Sequence, residues 1–393
     1  MLTRWTVAAV GLTQLVNWGM SYYAMGVFGP AIAADLGWSM ARTYSGFSGA
    51  LVVMGLTSGP VGRLVEAYGG RLVLSAGTLL IALGFLMLGQ VQELLLFGAA
   101  WAVLGLGMRM CLYEAAFAAL VRAGGAGARR ALSQVTLLGG LASTVFWPVG
   151  HFLIEYAGWR GALTAYAGIA VLMLPLYWTI PPGRAAAAAA PGRDGARAEA
   201  PVRLAAAVLF AAMVAAVSFL SSGISAHLIG LLSALGLTAA GAVALAALPG
   251  IAQSCARLVE VLFGHRLDPL GLGVLAAGLL AAGMLAGLGV AGAGAVAVVF
   301  VLAYGAGNGL LTVVRGTQPL VLFPVSRYAV LSGRLIAPSF YAAAAAPLAY
   351  ASVIEQFGAR AASALSLCLA LVVLGCAWAL WARVGPQPLG EGA

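Results

Sequence analysis

The sequence predicts an all-α integral membrane protein with twelve transmembrane helices in two pseudo-symmetric six-helix bundles. Three observations predict it. Of 393 residues, 63% are hydrophobic and 8% charged, with mean hydropathy +1.02, whereas a soluble domain carries about 25% charged residues. Apolar stretches of spanning length run from end to end. The two halves also repeat: "LIEYAGWRGA" at 153–162 matches "VIEQFGARAA" at 353–362.

The apolar stretches fall at about 5–28, 42–61, 72–91, 94–121, 131–153, 161–180, 203–226, 238–263, 270–289, 292–321, 328–352 and 361–382. Each is near the ~20 residues a helix needs to cross the hydrocarbon. The first is too long for a signal-peptide core and lacks a small-residue cleavage site, so it is expected to remain as a span. After the sixth comes the long polar stretch, "PPGRAAAAAAPGRDGARAEAPVR", whose composition reads as a flexible linker. The expected organisation is a bundle over 1–180, a cytoplasmic linker over 181–202 and a bundle over 203–393. The repeat offset that relates 153–162 to 353–362 also aligns Gly105 and Gly107 with Gly305 and Gly307, and Gly62, Glu66 and Gly69 answer Gly264, Asp268 and Gly271. Parallel repeats of this kind are a transporter architecture with the substrate near the midplane.

The net charge of +9 comes from arginine alone, with no lysine. With both termini cytoplasmic, the inside segments hold Arg4, Arg63, Arg71, Arg122, Arg129, Arg130, Arg184, Arg193, Arg197, Arg203, Arg266, Arg327 and Arg383. The outside loops hold only Arg42, Arg160 and Arg360. That bias sets the orientation, and the basic charge is a topology signal before it is a hint of nucleic-acid binding. The usage fits a bacterial inner membrane. Cys111, Cys255, Cys368 and Cys376 lie in apolar segments without metal-ligand spacing and read as small packing residues.

"GRLVEAYGGR" at 62–71 is similar to the signature that major facilitator superfamily transporters carry between helices two and three, Gly-x-x-x-Asp-Arg-x-Gly-Arg-Arg. Gly62, Gly69 and Arg71 match, Glu66 replaces Asp, and Ala67 and Gly70 depart from the pattern. Within that superfamily, "YAMGVFGPAIAADLGWS" at 23–39 resembles the monocarboxylate and oxalate/formate branch. The resemblance implies that helices one, four, seven and ten line the cavity and that two, five, eight and eleven form the walls. It implies that basic residues on helices eight and eleven hold an anion.

The intramembrane polar residues gather on those helices. Gln14, Asn17, Tyr22 and Tyr23 fall on the first; Arg109 and Glu114 on the fourth; Gln134 and His151 on the fifth; Arg257 and Glu260 on the eighth; Asn308 and Arg315 on the tenth; Arg334 on the eleventh. Charge facing lipid is expensive, so such residues are expected to face water or one another. Arg257 and Glu260, three apart, share a helix face. Arg109 and Glu114, five apart, lie about 140° apart on an unbroken helix and are not expected to pair. Glu114 is expected to meet Arg315 on the cytoplasmic side. Counting Arg109, Arg257, Arg315 and Arg334 as buried against Glu114 and Glu260 leaves a surplus of guanidinium, whose planar fork suits carboxylate.

The sequence therefore predicts a secondary transporter of a small organic anion, a carboxylate, working by alternating access with proton symport or anion exchange. Arg257 and Arg334 are expected to grip the anion, Tyr22, Tyr23, Asn17 and Asn308 to shape the pocket. Glu114, Glu260, Arg109 and Arg315 are expected to gate or couple, since desolvation and a neighbouring arginine pull a carboxylate's protonation in opposite directions. A monomer in contact with lipid is expected, without cofactor, metal or nucleic acid. Two alternatives are an efflux carrier for a hydrophobic or zwitterionic compound and a non-transporting membrane sensor or assembly factor. An enzyme is disfavoured, because no nucleophile–base pair or metal cluster is present.

Overall fold

The computed structural model describes residues 2–182, 204–264, 267–290 and 294–385. Apart from Pro181 and Pro182, the expected linker lies outside the described residues, as do Arg184, Arg193, Arg197, Arg203 and Arg266. The elements in order are α1 (Arg4–Asn17), a π-helical turn (Trp18–Tyr22), α2 (Ala24–Leu36), α3 (Met40–Tyr68), α4 (Gly70–Gly89), α5 (Leu94–Cys111), α6 (Tyr113–Gly124), α7 (Arg129–Gly139), α8 (Ala142–Leu172) and α9 (Leu174–Tyr177). They continue with α10 (Leu204–Ala234), α11 (Ala239–Ala246), α12 (Leu248–Phe263), α13 (Pro269–Leu288), α14 (Gly294–Leu322), α15 (Tyr328–Phe357) and α16 (Ala359–Val384).

Among the described residues, ten helical stretches are long and apolar enough to cross a membrane. One of them, Arg129–Tyr177, folds back at Gly158. There φ is 67°, a left-handed conformation that favours glycine, and the Tyr166 hydroxyl donates to Phe146 O at 3.1 Å across the fold. The first segment runs over 4–36 rather than 5–28 and is interrupted by the π turn. With that segment and the fold at Gly158, the helices account for all twelve apolar stretches.

The chain forms two compact units, Met1–Pro201 with Phe323–Ala337, and Val202–Leu322 with Pro338–Ala393. Each is built the same way. In the first, Gly105 lets α5 close on α3, since a Cβ there would stand 2.5 Å from Ala50 O. In the second, Gly305 lets α14 close on α12, where a Cβ would stand 2.5 Å from Pro249 O. Small residues are what allow backbones to approach so closely in a membrane protein. Gly358, φ 83°, turns the chain between α15 and α16 as Gly158 does in the first unit.

The stretch Asp35-Leu36-Gly37-Trp38-Ser39 joins the first span to the second and is fixed in place by a turn, a helix cap and contacts to α5 and α8. Asp35 Oδ2 lies 2.6 Å from Arg160 Nη1. Gly37, φ 64°, ends α2. Trp38 packs edge-on against Phe97, centroids 5.2 Å apart. Ser39 caps α3, its hydroxyl accepting from Arg42 N at 3.2 Å.

Candidate functional site

The first unit holds its deepest charge on a helix that stops short. α5 ends at Cys111, Leu112 is extended with ψ −171°, and α6 restarts at Tyr113. The carbonyl of Cys111, released by the break, accepts from Gln14 Nε2 at 2.8 Å. The expected unbroken fourth helix is thus corrected, and the 140° separation of Arg109 and Glu114 does not apply. Arg109 is 2% exposed in the last turn of α5; its Nε donates to Ser58 Oγ at 2.7 Å and its Nη2 to Ser58 O at 3.1 Å. Glu114, 8% exposed, sits in the first turn of α6, where the helix end favours negative charge.

Asn17 is fully buried within this unit. Its Nδ2 donates to Tyr177 Oη at 2.7 Å, and Thr78 Oγ1 lies 2.8 Å from the same phenol. Its amide therefore knits α1 to α4 and α9. Tyr22 and Tyr23 are half-buried in a row of rings: Trp18–Tyr22 4.7 Å, Tyr22–Tyr23 5.8 Å and Tyr22–Phe47 5.1 Å between centroids.

The signature loop acts on the segment 323–337. Gly62 faces Ala329, whose carbonyl would stand 2.5 Å from a Cβ. Glu66 Oε1 accepts from Val330 N at 3.2 Å in the first turn of α15, and Arg122 Nη1 donates to Glu66 O. A cavity of about 250 Å³ lies among Glu66, Arg122, Ser326 and Tyr328. Gly69, φ 81°, separates α3 from α4, while Arg71 donates to Ile180 O and lies over Trp178. Asp268, the repeat partner of Glu66, instead caps its own helix, accepting from Leu270 N at 2.7 Å and Gly271 N at 2.9 Å.

In the second unit, Arg257 and Glu260 share one face of α12, 4% and 7% exposed. Arg257 Nε donates to Gly309 O at 3.2 Å, and its Nη2 donates to Gln253 Oε1 at 3.3 Å and Thr312 Oγ1 at 3.1 Å. Thr312 Oγ1 reaches Asn308 O at 3.1 Å, and Ser221 Oγ donates to Asn308 Oδ1 at 2.6 Å. A polar row thus runs from buried Arg257 to half-buried Asn308 and Ser221. Arg315 is half-buried, its Nη2 donating to Ser339 Oγ at 3.3 Å and its guanidinium over Phe340.

Arg334 is exposed, its side chain beside Gly59 in the first unit. The buried charges among the described residues are therefore Arg109 and Arg257 against Glu114 and Glu260. The expected buried surplus of arginine is corrected: lying in an apolar stretch did not bury Arg334, and Arg315 is only half-buried. Ser58, Thr78, Tyr177, Gln253, Thr312 and Ser221 are the participants that sequence reasoning missed. Hydroxyls and amides scattered through apolar helices carry no spacing signal of their own.

The family model described as Major Facilitator Superfamily matches residues 10–335. The chain belongs to that superfamily. It is a multi-pass membrane transporter rather than an enzyme. Among solved structures it is similar to the proton:xylose symporter XylE, at 13% identity and TM-score 0.76, covering 97% of this chain and 96% of that one. It is similar to the human organic anion transporter MFSD10 (TETRAN), at 17% identity and TM-score 0.71, covering 96% and 99%. It is also similar to FucP in its outward conformation, at 12% identity and TM-score 0.70, covering 95% and 98%. At such identities the likeness is one of fold. No curated protein matches the chain.

Proposed function

We propose that this superfamily member carries a small organic anion, a carboxylate, across a bacterial inner membrane by alternating access, coupled to proton symport or anion exchange. It works as a monomer with both termini cytoplasmic. The observation that carries the proposal is the buried guanidinium of Arg257, 4% exposed, set in a polar row where it donates to Gly309 O, Gln253 and Thr312. A carboxylate that exchanges for those acceptors adds the opposite charge and accepts through two parallel hydrogen bonds from the planar fork. Asn308 and Ser221 continue the row toward more open surface.

The resemblance of 23–39 to the monocarboxylate and oxalate/formate branch supports the same reading. Asp35, Gly37, Trp38 and Ser39 have local structural tasks, so the weight of that resemblance rests on Tyr23 to Pro30. Glu114 and Glu260 are the carboxylates assigned to proton coupling, being the buried ones among the described residues.

A melting screen of the purified protein tests the anion class, since a ligand stabilises the state it binds by RT ln(1 + [L]/Kd). Mono- and dicarboxylates raise the melting temperature of wild type and do not raise that of Arg257→Ala. A response to neutral sugars or amines with none to carboxylates overturns the proposal.

A further inference from the structure

Three helices of the second unit turn polar side chains toward one another. Ser221 comes from α10, Gln253 and Arg257 from α12, and Asn308 and Thr312 from α14, joined by the hydrogen bonds that lead from the Arg257 guanidinium to Ser221. Gly309 keeps α14 and α12 close: a Cβ there would stand 2.8 Å from Gln253 Cα. Gln253 is thereby set beside the turn of α14 that carries Asn308.

Helix phase sets this row apart from the apolar outer faces. Val259, 56% exposed, lies two residues beyond Arg257 and about 160° away round α12. Val299, also 56% exposed, precedes Asn308 by nine residues and lies about 180° away round α14. Ser221, Gln253, Asn308 and Thr312 are only half-buried, so the polar face is open to a ligand. It also has hydrogen-bonding capacity left over. The Gln253 amide gives its oxygen to Arg257 and the Asn308 amide gives its oxygen to Ser221, and among the described residues no acceptor takes either NH2 group. Ser221 Oγ spends its one proton on Asn308 and keeps acceptor lone pairs.

We propose that Gln253, Asn308 and Ser221 form the subsite for the body of the transported anion, and that this anion is a polyhydroxylated carboxylate of the sugar-acid class. The proposal rests on the anion reading above. A ligand hydroxyl donates and accepts at once, so it satisfies both the amide N–H groups and the serine oxygen. A second carboxylate has no proton for Ser221, and an ammonium has no lone pair for the amides. An alkyl or aryl body would dry these groups and leave them unpaired. Thr312, where the guanidinium arrives, and Asn308 are one turn apart, about 6 Å along α14. The hydroxyls therefore lie several carbons from the carboxylate, beyond the reach of a short acid held at Arg257.

Affinities for the purified full chain, measured by calorimetry, test it. The probes are gluconate and galactonate, hexanoate as the same carbon chain without hydroxyls, acetate as a short acid and sorbitol as a neutral polyol. In wild type the better-bound sugar acid exceeds hexanoate and acetate by about tenfold or more, because a site built for hydroxyls rejects the analogue that lacks them. Asn308→Ala and Ser221→Ala each lower that ratio about threefold or more, and Ser221→Thr, which keeps the hydroxyl, preserves it. Melting temperatures of the unliganded variants show whether each has folded; Ser221→Ala, which removes one oxygen, serves where Asn308→Ala has not. Sugar acids that bind no tighter than hexanoate and acetate, or a preference unchanged in both alanine variants, overturn the subsite without touching the anion reading. Sorbitol binding as tightly as the sugar acids overturns the anion reading, and the proposal with it.

Discussion

Glu66 holds the backbone N–H of Val330 at 3.2 Å, placing a carboxylate on the first turn of α15. A negative charge there completes an unsatisfied donor and meets the positive end of the helix, an effect of about 0.3–1 kcal/mol at a partly exposed site. The chain carries Glu where the superfamily signature has Asp, and the extra methylene still lets Glu66 reach the backbone.

Removing that carboxylate frees the segment 323–337. In a cysteine-free background carrying Ser326→Cys, Glu66→Ala raises the maleimide labelling rate about two- to fivefold, as a loss of up to ~1 kcal/mol requires. Glu66→Gln, which keeps an acceptor oxygen without the charge, gives an intermediate rate. Equal rates in all three proteins would show that Glu66 does not hold the segment.

Arg109 and Ser58 form one buried unit, with Ser58 accepting through both Oγ at 2.7 Å and its carbonyl at 3.1 Å. A hydrogen bond to a charged group contributes about 1.5–3 kcal/mol, so Ser58→Ala lowers thermal stability. Arg109→Lys does so as well, because an ammonium cannot reproduce the fork. Arg109→Met combined with Ser58→Ala costs less than the two changes summed. Additive losses in a melting-temperature cycle would mean that the pair is not coupled.

The close approach of α14 to α12 makes Gly305 intolerant of any side chain. Gly305→Ala sets a Cβ 2.5 Å from a backbone carbonyl that cannot move without its helix, and the folded yield in detergent drops steeply. Gly375→Ala, with nothing within 4 Å of the new Cβ, is neutral or stabilises by up to about 1 kcal/mol through helix propensity. Fluorescence size-exclusion profiles compare the two, and similar profiles would mean that the glycine contact is dispensable.

Much of the fold was legible because membrane burial leaves a coarse signal. Long apolar stretches and Gly105/Gly305 at matched positions expose both the spans and the repeat. The interruptions were not legible. Nothing in "MRMCLYEAA" announces the break at Leu112, which tertiary contacts support when Gln14 takes the Cys111 carbonyl and Trp18 packs on Tyr113. Without that break, helix phase misplaced Glu114 relative to Arg109. The charge balance failed for a related reason: Arg334 sits two turns into an apolar stretch, but its side chain is exposed beside Gly59. Arg257 and Glu260, on an unbroken stretch of helix, face the same side as their spacing requires.

Uptake of radiolabelled carboxylate into proteoliposomes, with and without an inward proton gradient, tests the central claim most directly. Wild type accumulates carboxylate, and Arg257→Ala cuts initial uptake about tenfold or more, the loss expected when a charge-assisted hydrogen bond of 1.5–3 kcal/mol disappears. Arg257→Lys keeps the charge and recovers part of it. Arg257→Ala protein that remains folded and takes up carboxylates at close to the wild-type rate would contradict the account.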